Sequence, residues 1–565
     1  MNQQITFRPL DQALYQRLLH CGADPLMARL YASRSVHSEN ELKDDLSQLL
    51  PYHNLKNIDA MAARLAQALQ NKERIVIVAD YDADGATACA LGLLALGSMG
   101  AVIDFAVPNR FENGYGLTPE VVNLVLPQQP DIILTVDNGI ASFAGIEYAQ
   151  SLGIEVLVTD HHLPAQTLPE CLIVNPNQPD CPFPSKNLAG VGVIFYVLMA
   201  LRAQLRDLNY FSDQLPEPNL AQWLDLVALG TVADVVNLDH NNRVLVSQGL
   251  KRIRQNKMSV GMSALFSVSK RPYQKAAPFD MGFALGPRLN AAGRLDDMSI
   301  GIRCLISQDS HEAMQLAQEL DNLNQERRAI EQSMHKEALT ILSESFSPDQ
   351  FSLVAYQPDW HQGVVGIVAS RLKEQYYRPT IVFAPADNNQ LRGSGRSITG
   401  FHLRDALDWV AKQHPDLLIK FGGHAMAAGV TIDATRLEDF KNAFEQATQT
   451  LLLPENLSKS YLTDGSLNAN EINLENAQKI SHQVWGQGFG LPTFVDQFSV
   501  LWQRCVGKNH KKIGLNKAGT TVEAMLFNFT DDLPNEITAV YRLVANEWNN
   551  QTELQLYIDF WQPAN

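Results

Sequence analysis

Three carboxylates stand at alternate positions in DYDADG, as Asp80, Asp82 and Asp84, with a glycine directly behind them. Further along, VDNG carries Asp137, TDHH carries Asp160, His161 and His162, and GTVADV carries Asp234. Carboxylates and imidazoles hold hard divalent cations. Mixed oxygen and nitrogen donors suit Mn2+ or Mg2+, whereas zinc would favour more His and Cys. Two ions roughly 3.5–4 Å apart need a carboxylate that reaches both. Asp80 or Asp82 with Asp137 would serve one ion. Asp84, Asp137, His161 and Asp234 would serve the other, with Asp137 bridging. Such a pair lowers the pKa of a shared water and clamps a phosphoryl oxygen, so no protein nucleophile is needed. His162 is expected to orient a ligand or to touch phosphate.

DYDADG is also half of a calcium-binding loop, and that reading fails on two counts. The twelfth residue from Asp80 is Leu91 rather than a bidentate Glu, and the preceding RIVIVA is a β-branched run rather than a helix. A lone strand-end Asp is often only a helix N-cap. Acidic and imidazole groups after several successive apolar runs argue for more than capping.

Those runs must position the donors. RIVIVA, AVIDFAV, DIILTV and IEVLVT alternate with helical stretches, which predicts a parallel sheet covered by helices. Ligand sites of such sheets lie at the carboxyl ends of the strands, where DYDADG, VDNG and TDHH all fall. Before this sheet, ENELKDDLSQLL and IDAMAARLAQAL read as helices. WLDLVALGTVADVV (223–236) is an apolar element ending near Asp234. LAGVGVIFYVLMAL (188–201) is too short to span a bilayer comfortably and reads as a buried helix.

Residues 311–344 carry Leu320, Leu323, Ile330, Met334, Ala338 and Ile341 mostly at three- and four-residue steps, a long amphipathic helix suited to bridging domains. Beyond it FSLVAY and TIVFAP read as strands, and RGSGRS and FGGHAMAAG as Gly-rich loops. Backbone amides with Ser394, Arg396, Ser397, Gly422, Gly423 and His424 could cradle phosphate there. The last hundred or so residues look all-β, and the alternation in TELQLYIDF after NEWNNQ predicts a terminal hairpin. Arg504, Lys508, Lys511, Lys512 and Lys517 cluster near Trp502, a combination suited to a single-stranded nucleic acid. Arg110 and Tyr115 lie on a loop after a sheet strand and would face the metal crevice.

The chain has 565 residues, enough for about three or four domains. Its net charge of −16 argues against a general nucleic-acid binder while leaving room for a local basic track. The six cysteines form no CxxC pair, which points to reduced thiols rather than a disulfide framework or zinc ribbon. MNQQITFRPLDQ lacks the pattern of a signal peptide. No membrane association is expected, and a cytoplasmic location is.

DYDADG, VDNG, TDHH and GTVADV, in this order, resemble the motifs of the DHH phosphoesterase superfamily. GPRLNAAGRLDD and FGGHAMAAG extend the resemblance to its RecJ branch of single-strand-specific DNA exonucleases. The resemblance implies an α/β architecture. A parallel-sheet DHH catalytic domain (71–310) is joined by a long helix (311–344) to a DHHA1 α/β domain (345–455). A C-terminal OB-like β-barrel (456–565) follows, and a helical segment (1–70) precedes. Many superfamily members have a His four residues before the Asp that matches Asp82; Val78 stands there instead, with Asp80 nearby, which leaves the ligands of the first ion open. Arg288, Asn290 and Arg294 in GPRLNAAGR resemble the family's phosphate contacts, with an interdomain salt bridge as the alternative for the arginines.

The implied activity is processive 5′→3′ hydrolysis of single-stranded DNA to mononucleotides with Mn2+ or Mg2+, in repair and recombination. A single-stranded-DNA-binding protein and a RecQ-type helicase are the implied partners, and a monomer suffices. Two other readings compete. A DHH phosphoesterase acting on short oligonucleotides or small phosphate substrates would need no long DNA track. A non-catalytic single-stranded-DNA-binding scaffold would be expected to have lost metal donors that are intact here.

Overall fold

A computed structural model describes residues 3–34, 36–109, 113–548 and 551–564. Arg110 lies outside the described residues. Strand β1 (Gln4–Phe7) precedes helices Gln12–His20 and Pro25–Ala32. Each helix is capped by an aspartate: Asp11 accepts from Leu14 N, and Asp24 from Leu26 N and Met27 N. IDAMAARLAQAL forms the expected helix, Ile58–Asn71. ENELKDDLSQLL does not; it makes only the 3-10 turns Glu39–Leu42 and Leu46–Gln48. Its Asp44 instead accepts from Ser247 and, at 2.7 Å, from Lys251 on the helix His240–Arg254. Tertiary docking overrides local helix propensity here.

Five parallel strands follow: β2 (Arg74–Ala79), β3 (Val102–Ala106), β4 (Ile132–Val136), β5 (Glu155–Thr159) and β6 (Leu172–Val174), in the order β3-β2-β4-β5-β6. Val76, Val78, Ile133, Val156 and Val158 are fully or almost fully buried on one face with Val121, Val122 and Ile146 of the covering helices. Burying each such side chain contributes about 1.5–3 kcal/mol. Ile77 points to the other face, where Gly92 of the helix Ala83–Ser98 leaves room for it. The chain leaves β2 in one direction to make β3 and returns on the other side to make β4. The carboxyl ends of β2 and β4 therefore border the crevice where the strand order reverses.

Helices Gly190–Asp207 and Leu224–Ala233 pack against Ala83–Ser98. The approach is close: a Cβ on Gly230 would lie 2.2 Å from Thr87 Oγ1 and 2.7 Å from Val191 Cγ1. Among the described residues no helix is long and apolar enough to cross a membrane. The run LAGVGVIFYVLMAL lies mostly in the buried helix Gly190–Asp207, as expected.

The long helix runs Ser310–Ser345, 36 residues or about 54 Å. The chain divides into two compact units, and the division falls inside this helix: residues 7–321 with 462–565, and residues 1–6 with 322–461. The second unit holds β7 (Leu353–Tyr356), β8 (Thr380–Ala386), β9 (Gln390–Arg396), β10 (Lys420–Gly423) and β11 (Ala427–Asp433), in the order β10-β11-β9-β8-β7. RGSGRS and FGGHAMAAG, expected as loops, are mostly strand. β9 pairs along its length with β8 and β11, and β10 turns back into β11. The glycines make room rather than turns. A Cβ on Gly393 would lie 2.6 Å from the Phe383 ring, a close packing that marks strand glycines.

Strand β12 (Ser460–Thr463) pairs with β1. Then β13 (Phe494–Val506), β14 (His510–Lys517), β15 (Thr520–Phe527), β16 (Glu536–Trp548) and β17 (Gln551–Pro563) close a barrel in the order β13-β14-β15-β17-β16. The expected terminal hairpin is β16 with β17. The N-terminal helices pack onto the segment that leads into this barrel. Arg34 makes a two-pronged ion pair with Asp464 at 2.8 and 3.0 Å, Tyr31 bonds Gln483 at 2.8 Å, and Lys479 bonds Asp24 at 2.7 Å.

Candidate metal centre

β2 delivers Asp80, and the helix that follows begins sooner than a simple loop reading of DYDADG suggests. Asp82 is the N-cap of Ala83–Ser98, accepting from Asp84 N at 2.9 Å and Gly85 N at 3.0 Å. Asp84 therefore sits in the first helical turn. Its carboxylate accepts the amides of Gly190 (2.5 Å) and Val191 (2.9 Å), the free donors that open the next long helix. Asp137 follows β4 with φ 62°, a left-handed conformation that a non-glycine residue adopts at a penalty of about 1–3 kcal/mol. Gly190 makes room for it, since a Cβ there would lie 2.5 Å from Asp137 Cβ. Asp234 ends Leu224–Ala233, and the next residue, Val235, again has positive φ, 63°.

These donors converge. Three groups have donor atoms within 4.8 Å of one another: Asp80, Asp82 and Asp137; Asp84, His161 and Asp234; and Asp137, His161 and His162. His161 Nε2 lies 3.0 Å from Asp137 Oδ1, 3.5 Å from Asp234 Oδ2 and 3.9 Å from Asp84 Oδ2. Burial, followed by the charge of Asp82, raises the Asp84 pKa to about 7. Burial and neighbouring carboxylates, Asp84 first, push Asp137 and Asp234 well above the usual carboxylate range. Burial and the charge of His162 lower His161 to about 4, leaving it a neutral imidazole able to donate a lone pair.

A pair of divalent ions fits this donor set. Asp137 Oδ1 and His161 Nε2 are buried and, although 3.0 Å apart, are not aligned to hydrogen-bond each other or any other described group, whereas polar groups inside a protein are nearly always satisfied. Several crowded carboxylates and a neutral imidazole present oxygen and nitrogen lone pairs to one another, and the cation that faces them, His162, is drawn toward Asp160 at 2.8 Å and stays 3.9 Å from Asp137 Oδ1. Positive charge at this point would relieve both the repulsion and the missing bonds.

Asp160 at the end of β5 was not among the candidate donors, and it organises the neighbouring pair. Its carboxylate accepts from Ile140 N, His161 N and His162 N, and from His162 Nδ1 at 2.8 Å. Burial opposes its charge, but the bond to His162 and the charges of both imidazoles hold its pKa below the usual range. In return, despite the opposing effect of burial, Asp160 raises His162 to about 9. Tyr115 lies alongside, its hydroxyl 3.1 Å from His162 Nε2. Asn177 and Asn175 fix the carbonyls of His161 and His162. Asn175, Asn177 and the amides of Gly190 and Val191 belong to no motif that the sequence singles out.

The expected DNA contacts divide. Arg288 bonds Asp321 at 2.7 Å, an ion pair within one compact unit rather than the interdomain bridge weighed for it. Asn290 Oδ1 accepts from Ala83 N at 2.9 Å and so anchors the DYDADG turn, while Arg294 is in the last turn of the same helix, Gly286–Leu295. In the second unit, Arg396 donates to Ser394 Oγ at 3.1 Å, Gly422 and Gly423 end β10, and His424 follows them. Gly366 packs against both Ser394 and Arg396. On the barrel, Arg504 lies 5.9 Å over the Trp502 ring, Lys508 is exposed, and Lys512 pairs with Glu523 at 2.6 Å. Lys511 is 1% exposed, and its ammonium bonds Asp532 at 2.8 Å. Strand alternation turns it inward between two outward neighbours, so its charge is spent inside the protein.

A parallel sheet that gathers aspartates and a histidine pair at its switch point, with a long helix leading to a second sheet, defines an α/β domain of the DHH phosphoesterase class. The DHH family, N-terminal domain, matches residues 74–231, the DHHA1 domain residues 349–450, and the RecJ OB domain residues 463–559. The single-stranded-DNA-specific exonuclease RecJ of Salmonella typhimurium is 49% identical over 549 residues, 95% of either chain. That of Bacillus subtilis is 34% identical, over 94% of this chain and 67% of its own. The crystal structure of RecJ from Thermus thermophilus in complex with Mn2+ aligns with all of this chain and 79% of its own, with a TM-score of 0.83 at 29% identity. The chain belongs to the RecJ family.

Proposed function

We propose that this protein is a 5′→3′ exonuclease of single-stranded DNA, releasing mononucleotides with two divalent ions, Mn2+ or Mg2+, in DNA repair and recombination. The observation that carries the reading is the convergence of Asp84, Asp137, His161 and Asp234, with two buried donor atoms lacking hydrogen-bond partners. In this proposal Asp80, Asp82 and Asp137 hold one ion, and Asp84, Asp137, His161 and Asp234 the other. Bound ions of this kind supply Lewis acidity to a phosphoryl oxygen and make water a nucleophile near neutral pH. The chain's own residues do the rest. Asp160 keeps His162 protonated, which sets a positive charge beside the place where the scissile phosphate must lie. The Gly190 and Val191 amides fix the Asp84 carboxylate so that it need not reorganise during the reaction.

Trp502 with Arg504, Lys508 and Lys512 offers bases a flat face and phosphates a charge. Arg294, on the helix that anchors the DYDADG turn, is proposed to hold phosphate, and Ser394, Arg396, Gly422, Gly423 and His424 are proposed as a further phosphate cradle within the second unit. A cytoplasmic monomer working with a single-stranded-DNA-binding protein and a RecQ-type helicase completes the proposal.

The test is incubation with Mn2+ and DNA, single- or double-stranded, labelled at either end. Single strands should disappear, with a 5′ label released first as mononucleotide. Chelation should stop the reaction, and Asp84→Ala or His161→Ala should lower it at least a thousandfold without loss of fold. Cleavage of duplex at an equal rate, or full activity in either variant, would overturn the reading.

A further inference from the structure

Two phenylalanines lie open to solvent close to this centre. Phe279 is 55% and Phe283 73% exposed, and their rings stack on each other, with centroids 4.8 Å apart and planes 19° from parallel. They sit on a turn of helix (Pro278–Asp280) that runs into a π-helical turn (Met281–Leu285) and then into Gly286–Leu295. π turns disturb helical hydrogen bonding and recur at functional sites. Arg271 closes one end of the stack, its guanidinium 5.4 Å from the Phe279 ring and 3.2 Å from Asp280.

The position of this segment gives the pair its meaning. Gly286 fits against Ala233, where a Cβ would lie 3.0 Å from Ala233 Cβ, one residue before Asp234. Gly293 presses against the carbonyl of Tyr81, and Asn290 bonds Ala83, both within DYDADG. On its other side, the preceding turn ties to the barrel through the ion pair Lys275–Glu547. The pair thus stands on the piece of chain that connects the proposed DNA-binding barrel to the metal donors. An isolated exposed phenylalanine would be unremarkable. Two rings held flat together on that connection present a rigid π-face at little entropic penalty.

We propose that Phe279 and Phe283 form a stacking platform for an unpaired nucleobase of the incoming strand. The platform would hold that base while the phosphate ahead of it enters the metal centre. This inference rests on the single-strand nuclease reading. It adds a physical basis for strand selection, because a base still paired in duplex cannot turn its face onto the rings without leaving its stack.

The experiment is a cycle between protein and DNA. The full chain and its F279A/F283A variant are bound, with Ca2+ in place of Mn2+, to single-stranded oligonucleotides carrying one abasic site scanned along the strand. A parallel series carries 2-aminopurine. Wild-type protein should lose affinity about tenfold or more when the abasic site reaches one position, and quench 2-aminopurine there. The variant should bind intact strands more weakly by a similar factor, ignore the abasic site and leave the probe bright. F279Y/F283Y should restore binding and quenching. Fully additive losses, or wild-type affinity in the variant, would overturn the platform. Loss of self-association on sedimentation with unchanged DNA affinity would assign the rings to a second copy of the chain and overturn it equally. Failure of the wild-type protein to bind or degrade single strands would remove the nuclease reading itself, and the platform with it.

Discussion

Asp160 lies outside the three donor groups, yet the charge of the site depends on it. It holds His162 protonated and fixes the backbone of both histidines. Asp160→Asn removes the charge while keeping the shape. The His162 titration midpoint, followed by NMR, should fall from about 9, because burial is then opposed only by the charges of Asp80 and Asp234. Divalent-ion affinity, measured by calorimetry, should fall about 10- to 100-fold, as is usual when a partner of a ligating residue is lost. An unchanged midpoint would refute the assignment. Among the candidate donors, Asp80, Asp137 and His161 were legible from residue type and position just beyond a strand, whereas Asp84 stands in the first turn of a helix and Asp234 at the end of another. Asp160 was visible in TDHH but not as the organiser, because its role depends on which atoms face which. Lys511 shows the same limit. A basic run does not say which of its members turns inward, so Lys511→Ala should lower barrel stability by about 1–3 kcal/mol in denaturant unfolding, where Lys512→Ala should not.

Helices and strands matter here for the atoms they leave unpaired at their ends. The opening amides of Gly190–Asp207 are aimed at Asp84, and this requires Gly190 to touch Asp137. Gly190→Ala should therefore displace Asp137 and lower ion affinity and turnover at least tenfold, while circular dichroism changes little. Wild-type kinetics in that variant would show that the contact has no functional weight. The alternation of apolar runs and helices made the sheet and its reactive edge readable. Elements governed by distant partners were not. ENELKDDLSQLL looks helical in isolation, but Asp44 docks on Lys251. RGSGRS looks like a loop until Phe383 is seen to need the space that its glycines leave.

Across the molecule, the clustered carboxylates link metal, proton and folding equilibria. Asp84 has a folded-state pKa of about 7 against an ordinary 3.8, so between these values the folded protein binds more protons than the unfolded chain. Stability from this group is present at low pH and falls as pH rises through the window. Divalent ions compete with those protons. The rise in melting temperature on adding Mn2+ should thus grow from pH 5.5 to pH 7.5 and vanish with excess chelator. A constant rise across that range would contradict the linkage. The succession of catalytic sheet, bridging helix and terminal barrel followed from pattern and resemblance. The pairing of β1 with β12 did not, since nothing local in either strand names its partner.

The ion pair of Arg34 with Asp464 joins residues 430 positions apart, and Tyr31 reaches Gln483 across 452. On a ribosome adding about 5–20 residues per second, the first helices emerge roughly 20–90 s before the surface that receives them. During that interval the helix Pro25–Ala32, which packs against Leu474–Ser481 in the finished protein, lacks that neighbour. Nascent chains of this protein should be clients for chaperones that shield apolar segments, and premature termination anywhere before the barrel should yield aggregating fragments.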